Sequence, residues 1–88
     1  MSELQIPENW QHHDDTLERE FEFADFAAAM RFIATAAPKI DGLNHHPEWT
    51  NVYNKVSVRL TSHDVGHVTD RDVSLANILD EVAAGLDA

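Results

Sequence analysis

Three histidines near the middle of the chain are the residues whose types and spacing could do chemistry. His45 and His46 are adjacent and precede Pro47, and His63 follows a run of alternating apolar residues. Imidazole has an unperturbed pKa close to neutrality, so converging histidines can give and take protons at working pH. Proline fixes its own φ and pushes the preceding residue toward extended backbone, which holds the adjacent histidines on a stiff segment. The cluster is therefore a candidate for acid–base catalysis.

The same histidines have two competing interpretations, a zinc site and solvated loop residues. Three histidines plus water are a known catalytic zinc arrangement. Adjacent residues of an extended segment point to opposite faces, however, so His45 and His46 would not easily chelate one ion. No predicted helix carries a histidine pair at i and i+4, and the chain has no cysteine. On the residues alone, all three interpretations remain open, with the metal site the least favoured.

Two predicted hairpins flank the first helix and carry the histidines. The first hairpin joins residues 10–13 to residues 16–23, where apolar and acidic residues alternate. The second joins residues 44–54, which include the adjacent histidines, to residues 55–61. Strict alternation in residues 55–61 predicts a strand with one buried face. His63 then lies where this strand opens into a loop.

The first predicted helix lies between the hairpins, and Asp25 can cap it. Its apolar stripe has i, i+4, i+7, i+11 spacing and comprises Phe26, Met30, Ile33 and Ala37. Pro38 removes a backbone donor and clashes with the preceding turn, so we predict that the helix ends or kinks near Ala37. Asp41 would then lie beyond the regular helix.

The second predicted helix begins at Thr69, which forms a capping box with Asp72. Its apolar stripe comprises Leu75, Leu79, Val82 and Leu86. The element order ββαββα predicts a two-layer α+β fold in which both helices pack on one face of a four-stranded antiparallel sheet. The 88 residues make one domain, 1–88, of a size that association with another copy often stabilises.

The charge balance limits the partners that this chain can bind. Sixteen Asp and Glu against six Lys and Arg give a net charge of −10. This field repels nucleic-acid phosphates and anionic lipid headgroups, so we expect no direct nucleic-acid binding. The first residues lack the basic region and apolar core of a secretory signal, and no apolar stretch is long enough to span a bilayer. We expect a cytoplasmic protein without membrane contact.

The segment around the histidines resembles the pterin-4a-carbinolamine dehydratases, also called 4a-hydroxytetrahydrobiopterin dehydratases. That family carries an acidic residue, three residues, His-His-Pro, an aromatic, an Asn-x-Tyr-Asn-Lys-Val strand entry and a Thr-His-Asp/Glu turn. The matching positions here are Asp41, His45, His46, Pro47, Trp49, residues 51–56 and residues 62–64. The similarity extends upstream to Trp10 and a Phe-x-Phe-x-x-Phe run, so it covers nearly the whole chain.

The resemblance implies a reaction and a set of site residues. It implies dehydration of pterin-4a-carbinolamine to quinonoid dihydropterin, in tetrahydropterin recycling, without a cofactor or a metal. It gives His45, His46 and His63 the catalytic roles, without deciding which is the acid and which is the base. The substrate-binding residues that it implies are Trp10, Asp41, Pro47, Ser62, Asp64 and Val65. Packing is an equally good interpretation of Trp10.

The resemblance also implies partners. Members of the family associate through their sheets and helices, so we expect a homodimer or homotetramer. Animal members act in addition as dimerisation cofactors of a homeodomain transcription factor, which gives a protein-binding module as an alternative function. A second alternative is a related activity on another pterin, such as one in molybdenum-cofactor metabolism.

Overall fold

The structure, a computed structural model, describes residues 5–62 and 64–87. Its elements are β1 Gln11–His13, β2 Thr16–Glu22, α1 Phe26–Leu43, β3 Glu48–Val52, β4 Lys55–Leu60 and α2 Asp70–Asp87. The order ββαββα and the α+β class are therefore confirmed.

The four strands form one antiparallel sheet in the order β1-β2-β4-β3. In the central pair, Leu17 lies opposite Leu60 and Phe21 lies opposite Val56. Side chains alternate between the two faces of a strand, so the glutamates of β2 project away from the helices. The buried, helix-facing side chains of the central strands are Leu17, Phe21, Val56, Val58 and Leu60. The alternation predicted for both strands is confirmed.

Helix α1 continues through Pro38 to Leu43, so the predicted helix end near Ala37 is wrong. Proline removes one backbone donor, but Ile40 beyond it is only 3% exposed and packs in the core. Burial of this side chain outweighs the missing hydrogen bond and holds the last turn in place. Asn44 caps the C-terminus of the helix, and its left-handed backbone has a φ of 56°.

The buried face of α1 also differs from the predicted stripe. Its buried residues are Ala28, Ala29, Phe32, Ala36 and Ile40. Phe26 is 48% exposed and Ala37 is exposed, so the stripe drawn through them is wrong. This helix is apolar on most of its circumference, and Phe32 decides which face turns inward. Its ring centroid lies 4.8 Å from that of Phe21 and 5.1 Å from that of Phe23.

Helix α2 lies beside α1 on the same face of the sheet. Asp72 accepts a hydrogen bond from the backbone N–H of Thr69, as the predicted capping box requires. Leu75 and Leu79 are fully buried, so this stripe belongs to the core of the monomer. Among the residues described, neither helix has the length and apolar character needed to cross a membrane.

Candidate active site

The loop between α1 and β3 directs its two histidines to different carboxylates. His45 is 9% exposed, and its Nε2 lies 2.5 Å from Oδ1 of Asp72 on α2. His46 is exposed, and its Nε2 lies 3.2 Å from Oδ1 of Asp41 on α1. Successive side chains of extended backbone point to opposite sides, and Pro47 favours that backbone. One ring is thus fixed in the interior while its neighbour faces solvent.

Asp72 is the centre of a buried polar network. Its Oδ2 accepts hydrogen bonds from Oγ of Ser62 at 2.8 Å and from the backbone N–H of Thr69 at 2.9 Å. Oγ of Ser62 also lies 2.7 Å from Oγ1 of Thr69. Within the described ranges, every buried side-chain nitrogen and oxygen has a hydrogen-bond partner. A network in which each member is satisfied holds His45 in one orientation.

The network also determines which nitrogen of His45 carries a proton. An ionised carboxylate only accepts hydrogen bonds, so the Nε2 that faces Asp72 must be the donor. In the neutral ring, Nδ1 then carries the lone pair that can accept a proton. Asp72 therefore selects the tautomer of His45.

Sequence reasoning missed Asp72 as a site residue. The spacing from Thr69 predicted a capping box, and that role alone accounts for an acid at the start of a helix. The contact with His45 joins positions 27 residues apart, which local spacing does not reveal. Capping uses Oδ2, however, and an aspartate has a second oxygen. Capping leaves Oδ1 available for another partner, and this second oxygen was the available signal of a further contact.

A shallow cavity of about 540 Å³ lies between the second half of α1 and the start of β3. Its lining residues are Ala34, Ala37, Pro38, Ile40, Asp41, His46, Pro47 and Trp49. Trp49 is half-buried and packs against Phe32, with the ring centroids 6.3 Å apart. The predicted site residues Asp41, His46 and Pro47 thus meet at one concave surface. Apolar walls, one imidazole and one carboxylate suit a flat polar heterocycle.

The loop after β4 carries the other predicted site residues, and its side chains are largely committed to the protein. Oγ of Ser62 is bound to the Asp72 network. Asp64 accepts a hydrogen bond from Nη2 of Arg71 at 2.6 Å, and this bond lowers the pKa of the Asp64 carboxyl below its usual 3.8. Val65 is half exposed. None of these residues lines the cavity beside His46.

Two further predictions concern His63 and Trp10. The catalytic role of His63 falls on a residue outside the described ranges 5–62 and 64–87. Trp10 is 5% exposed and packs edge-on against Phe21, with the ring centroids 6.0 Å apart. Its Nε1 donates to Asp80 on α2 at 2.9 Å. Trp10 thus has the packing role that the sequence left open beside substrate binding.

The zinc interpretation concerns three histidines, of which the structure describes His45 and His46. Within the described ranges, no group of three or more histidine, cysteine or acidic side chains is arranged to hold a metal ion. Nε2 of His45 faces a carboxylate on α2, whereas Nε2 of His46 faces a carboxylate on α1. The arrangement instead offers one fixed imidazole and one solvent-facing imidazole on neighbouring residues.

The family model of the pterin 4 alpha carbinolamine dehydratases matches residues 1–82. The chain belongs to this family. A relative from Solibacter usitatus, named as a supposed pterin-4-alpha-carbinolamine dehydratase, is 47% identical over 76 residues, which are 86% of this chain and 80% of that protein. A relative of the same name from Burkholderia pseudomallei is 48% identical over 68 residues, which are 77% of this chain and 67% of that protein. The resemblance seen in the sequence is confirmed.

The chain is also similar to solved structures of a pterin dehydratase and a dehydratase-like protein. A protein from Brucella melitensis, described as a transcriptional coactivator/pterin dehydratase, has a TM-score of 0.83 and 39% identity, over 85% of this chain and 82% of that one. A pterin dehydratase-like protein, identified as a RuBisCO assembly factor in the alpha-carboxysome, has a TM-score of 0.75 and 18% identity, over 86% and 90%. The second likeness is one of fold alone.

Proposed function

We propose that this protein dehydrates pterin-4a-carbinolamine to quinonoid dihydropterin, as a step of tetrahydropterin recycling. In this reaction the bond between C4a and its hydroxyl oxygen breaks, and a proton delivered to that oxygen makes the leaving group water. A base removes the proton from N5, and its electron pair forms the double bond between N5 and C4a. One proton is given and one is taken, so the total number of protons on the catalytic groups is unchanged by the reaction.

The observation that carries this proposal is the pair of neighbouring imidazoles, each held by its own carboxylate. His46 lines the cavity, where Asp41 lies beside it. His45 is fixed by Asp72, with Nδ1 as the nitrogen that exchanges a proton. Histidine is suited to both halves of the reaction because its protonated and neutral forms coexist near neutral pH. We assign the acid and base roles to His45, His46 and His63 together.

The substrate contacts follow from the same geometry. We assign Asp41 and Pro47 to the pterin because both line the cavity beside His46. We also assign Ser62, Asp64 and Val65 to the substrate, although they do not line this cavity; they would contribute through backbone groups, since the side chains of Ser62 and Asp64 are engaged elsewhere. The reaction uses neither a metal nor a cofactor in this proposal, because proton transfer alone completes it.

We propose further that the protein works as a homodimer or homotetramer in the cytoplasm. Small domains bury a limited share of their surface, and association adds to their stability. A groove of about 470 Å³ between the outer sides of α1 and α2 is lined mainly by apolar atoms, with Ile78 and Leu86 among its residues. This groove is a suitable surface for a second copy.

Replacement of His46 tests the proposal. His46→Ala should lower turnover of 4a-hydroxytetrahydropterin by about 10²- to 10⁴-fold if this ring is a principal acid or base. Its unfolding free energy should stay close to that of the wild type because the side chain is exposed. His12→Ala, on the exposed strand β1, is the matched control and should be neutral. A folded His46→Ala with wild-type turnover would favour a binding-only role for the site.

A further inference from the structure

Pro38 lies inside α1 and on the wall of the cavity beside His46. In an α-helix the N–H of each residue donates to the carbonyl four residues earlier, which for position 38 is Ala34. Proline has no N–H, so the carbonyl of Ala34 lacks its usual helical donor. Ala34 is exposed and also lines the cavity. A residue on the wall of this cavity therefore has a backbone acceptor without its ordinary helical partner.

We propose that the carbonyl of Ala34 binds substrate by accepting a hydrogen bond from an N–H group of the pterin ring. The inference rests on the proposed function for the class of ligand, since a reduced pterin carries N–H groups along its rings. Asp41 lies seven residues further along, which is two turns and the same face of α1. The helix thus offers this ligand two oxygen acceptors, one neutral and one charged.

The chemistry of the wall supports an N–H donor as the ligand group. Between the two acceptors the lining residues of α1 are Ala37, Pro38 and Ile40, which have no polar side-chain atoms. A ligand that lays the flat face of its ring against them and places a donor at each end satisfies both acceptors on this wall. The residue that creates the acceptor also supplies part of the apolar surface.

This role of Pro38 predicts opposite effects on stability and on binding. A residue with an N–H at position 38 restores the bond to Ala34 and removes the clash of the proline ring, so the Tm should rise. The same N–H occupies the carbonyl that the ligand would use. If Pro38 served the fold alone, its replacement would change the Tm without changing the affinity for the ligand.

The test compares Pro38→Ala with Pro38→Val. Both variants restore the N–H, and valine keeps three side-chain carbons on the cavity wall, as proline does. We expect both to bind 6-methyltetrahydropterin about three- to tenfold more weakly than the wild type, which corresponds to the loss of one hydrogen bond. Calorimetric titration gives the Kd without reliance on turnover, and thermal unfolding gives the Tm.

Each outcome decides the inference. Weaker binding by both variants, with a raised Tm, supports it. Unchanged Kd in both variants, or weaker binding by Pro38→Ala alone, overturns it, because the second pattern reports lost ring surface. A wild-type protein that fails to bind the tetrahydropterin overturns it as well. Binding without dehydration by the wild type would defeat the proposed function and leave the carbonyl contact standing.

Discussion

Replacement of Asp72 separates the structural work of its carboxylate from its effect on His45. In Asp72→Asn the side chain keeps its shape, but one oxygen becomes an NH₂ group that only donates. If the remaining oxygen keeps its bonds to Ser62 and Thr69, the NH₂ faces Nε2 of His45. That nitrogen must then accept, so the proton moves to Nδ1. We expect turnover to fall by about 10²- to 10⁴-fold, the range for a misassigned acid or base.

Stability should distinguish Asp72→Asn from Asp72→Ala. Alanine removes the acceptor for the Thr69 N–H, a capping interaction of about 1 kcal/mol. It also leaves the buried Nε2–H of His45 without a partner, at a cost of about 1–3 kcal/mol. Ser62 keeps its bond to Thr69, so we expect a total loss of about 2–4 kcal/mol. Asparagine retains a partner for each group and should cost less.

The assays are urea denaturation for stability and stopped-flow dehydration for turnover. Asp70→Asn is the matched control, because it removes an exposed acid from the first turn of the same helix. Its stability should change by no more than about 1 kcal/mol, through the helix dipole, with turnover unchanged. If Asp72→Asn kept wild-type turnover while folded, Asp72 would not set the tautomer of a catalytic His45.

Three further predictions concern acid stability, metal and assembly. The hydrogen bond from Arg71 lowers the pKa of Asp64, so its stabilisation is complete above pH 3.8 and disappears as the pH falls through the lowered value. Denaturation curves should therefore show a stability gap between wild type and Arg71→Gln that is constant above about pH 5 and closes in acid; a gap independent of pH contradicts this. Exhaustive chelation should leave the turnover rate unchanged, and a loss of turnover that zinc restores would favour a metal site. Light scattering should show at least a dimer, which Ile78→Asp dissociates while circular dichroism stays native; a wild-type monomer at assay concentrations refutes this.

Much of the fold could be predicted because its signals are local. Alternation in residues 16–23 and 55–61 gave both central strands, since a half-buried strand repeats every two residues. Asp25 and Thr69 marked both helix starts, since caps satisfy backbone donors within three residues. These signals depend on neighbours in sequence, and the structure contains the strands and helices that they indicate.

The errors arose where tertiary packing overrides local preference. Pro38 disfavours a helix, but the core contact of Ile40 lies beyond any local rule. The stripe of α1 was misplaced because its sequence is apolar nearly all round, and only the rings of Phe21 and Phe23 show which side Phe32 must face.

For the candidate site too, the features set by local backbone could be predicted, and those set by tertiary contacts could not. The opposite directions of His45 and His46 followed from extended backbone before Pro47, and the structure has them. The pairing of His45 with Asp72 joins positions 27 residues apart, so only the folded structure reveals it. A capping role had already explained that aspartate, and only its second carboxylate oxygen indicated a further partner.

The most direct test of the proposed function is the dehydration rate of synthetic 4a-hydroxytetrahydropterin with and without the wild-type protein. Carbinolamines of this kind also lose water spontaneously, so the uncatalysed rate must be measured in the same buffer. The account predicts an acceleration that is proportional to protein concentration and saturates with substrate. A rate equal to the spontaneous one at micromolar concentrations of folded protein would contradict it.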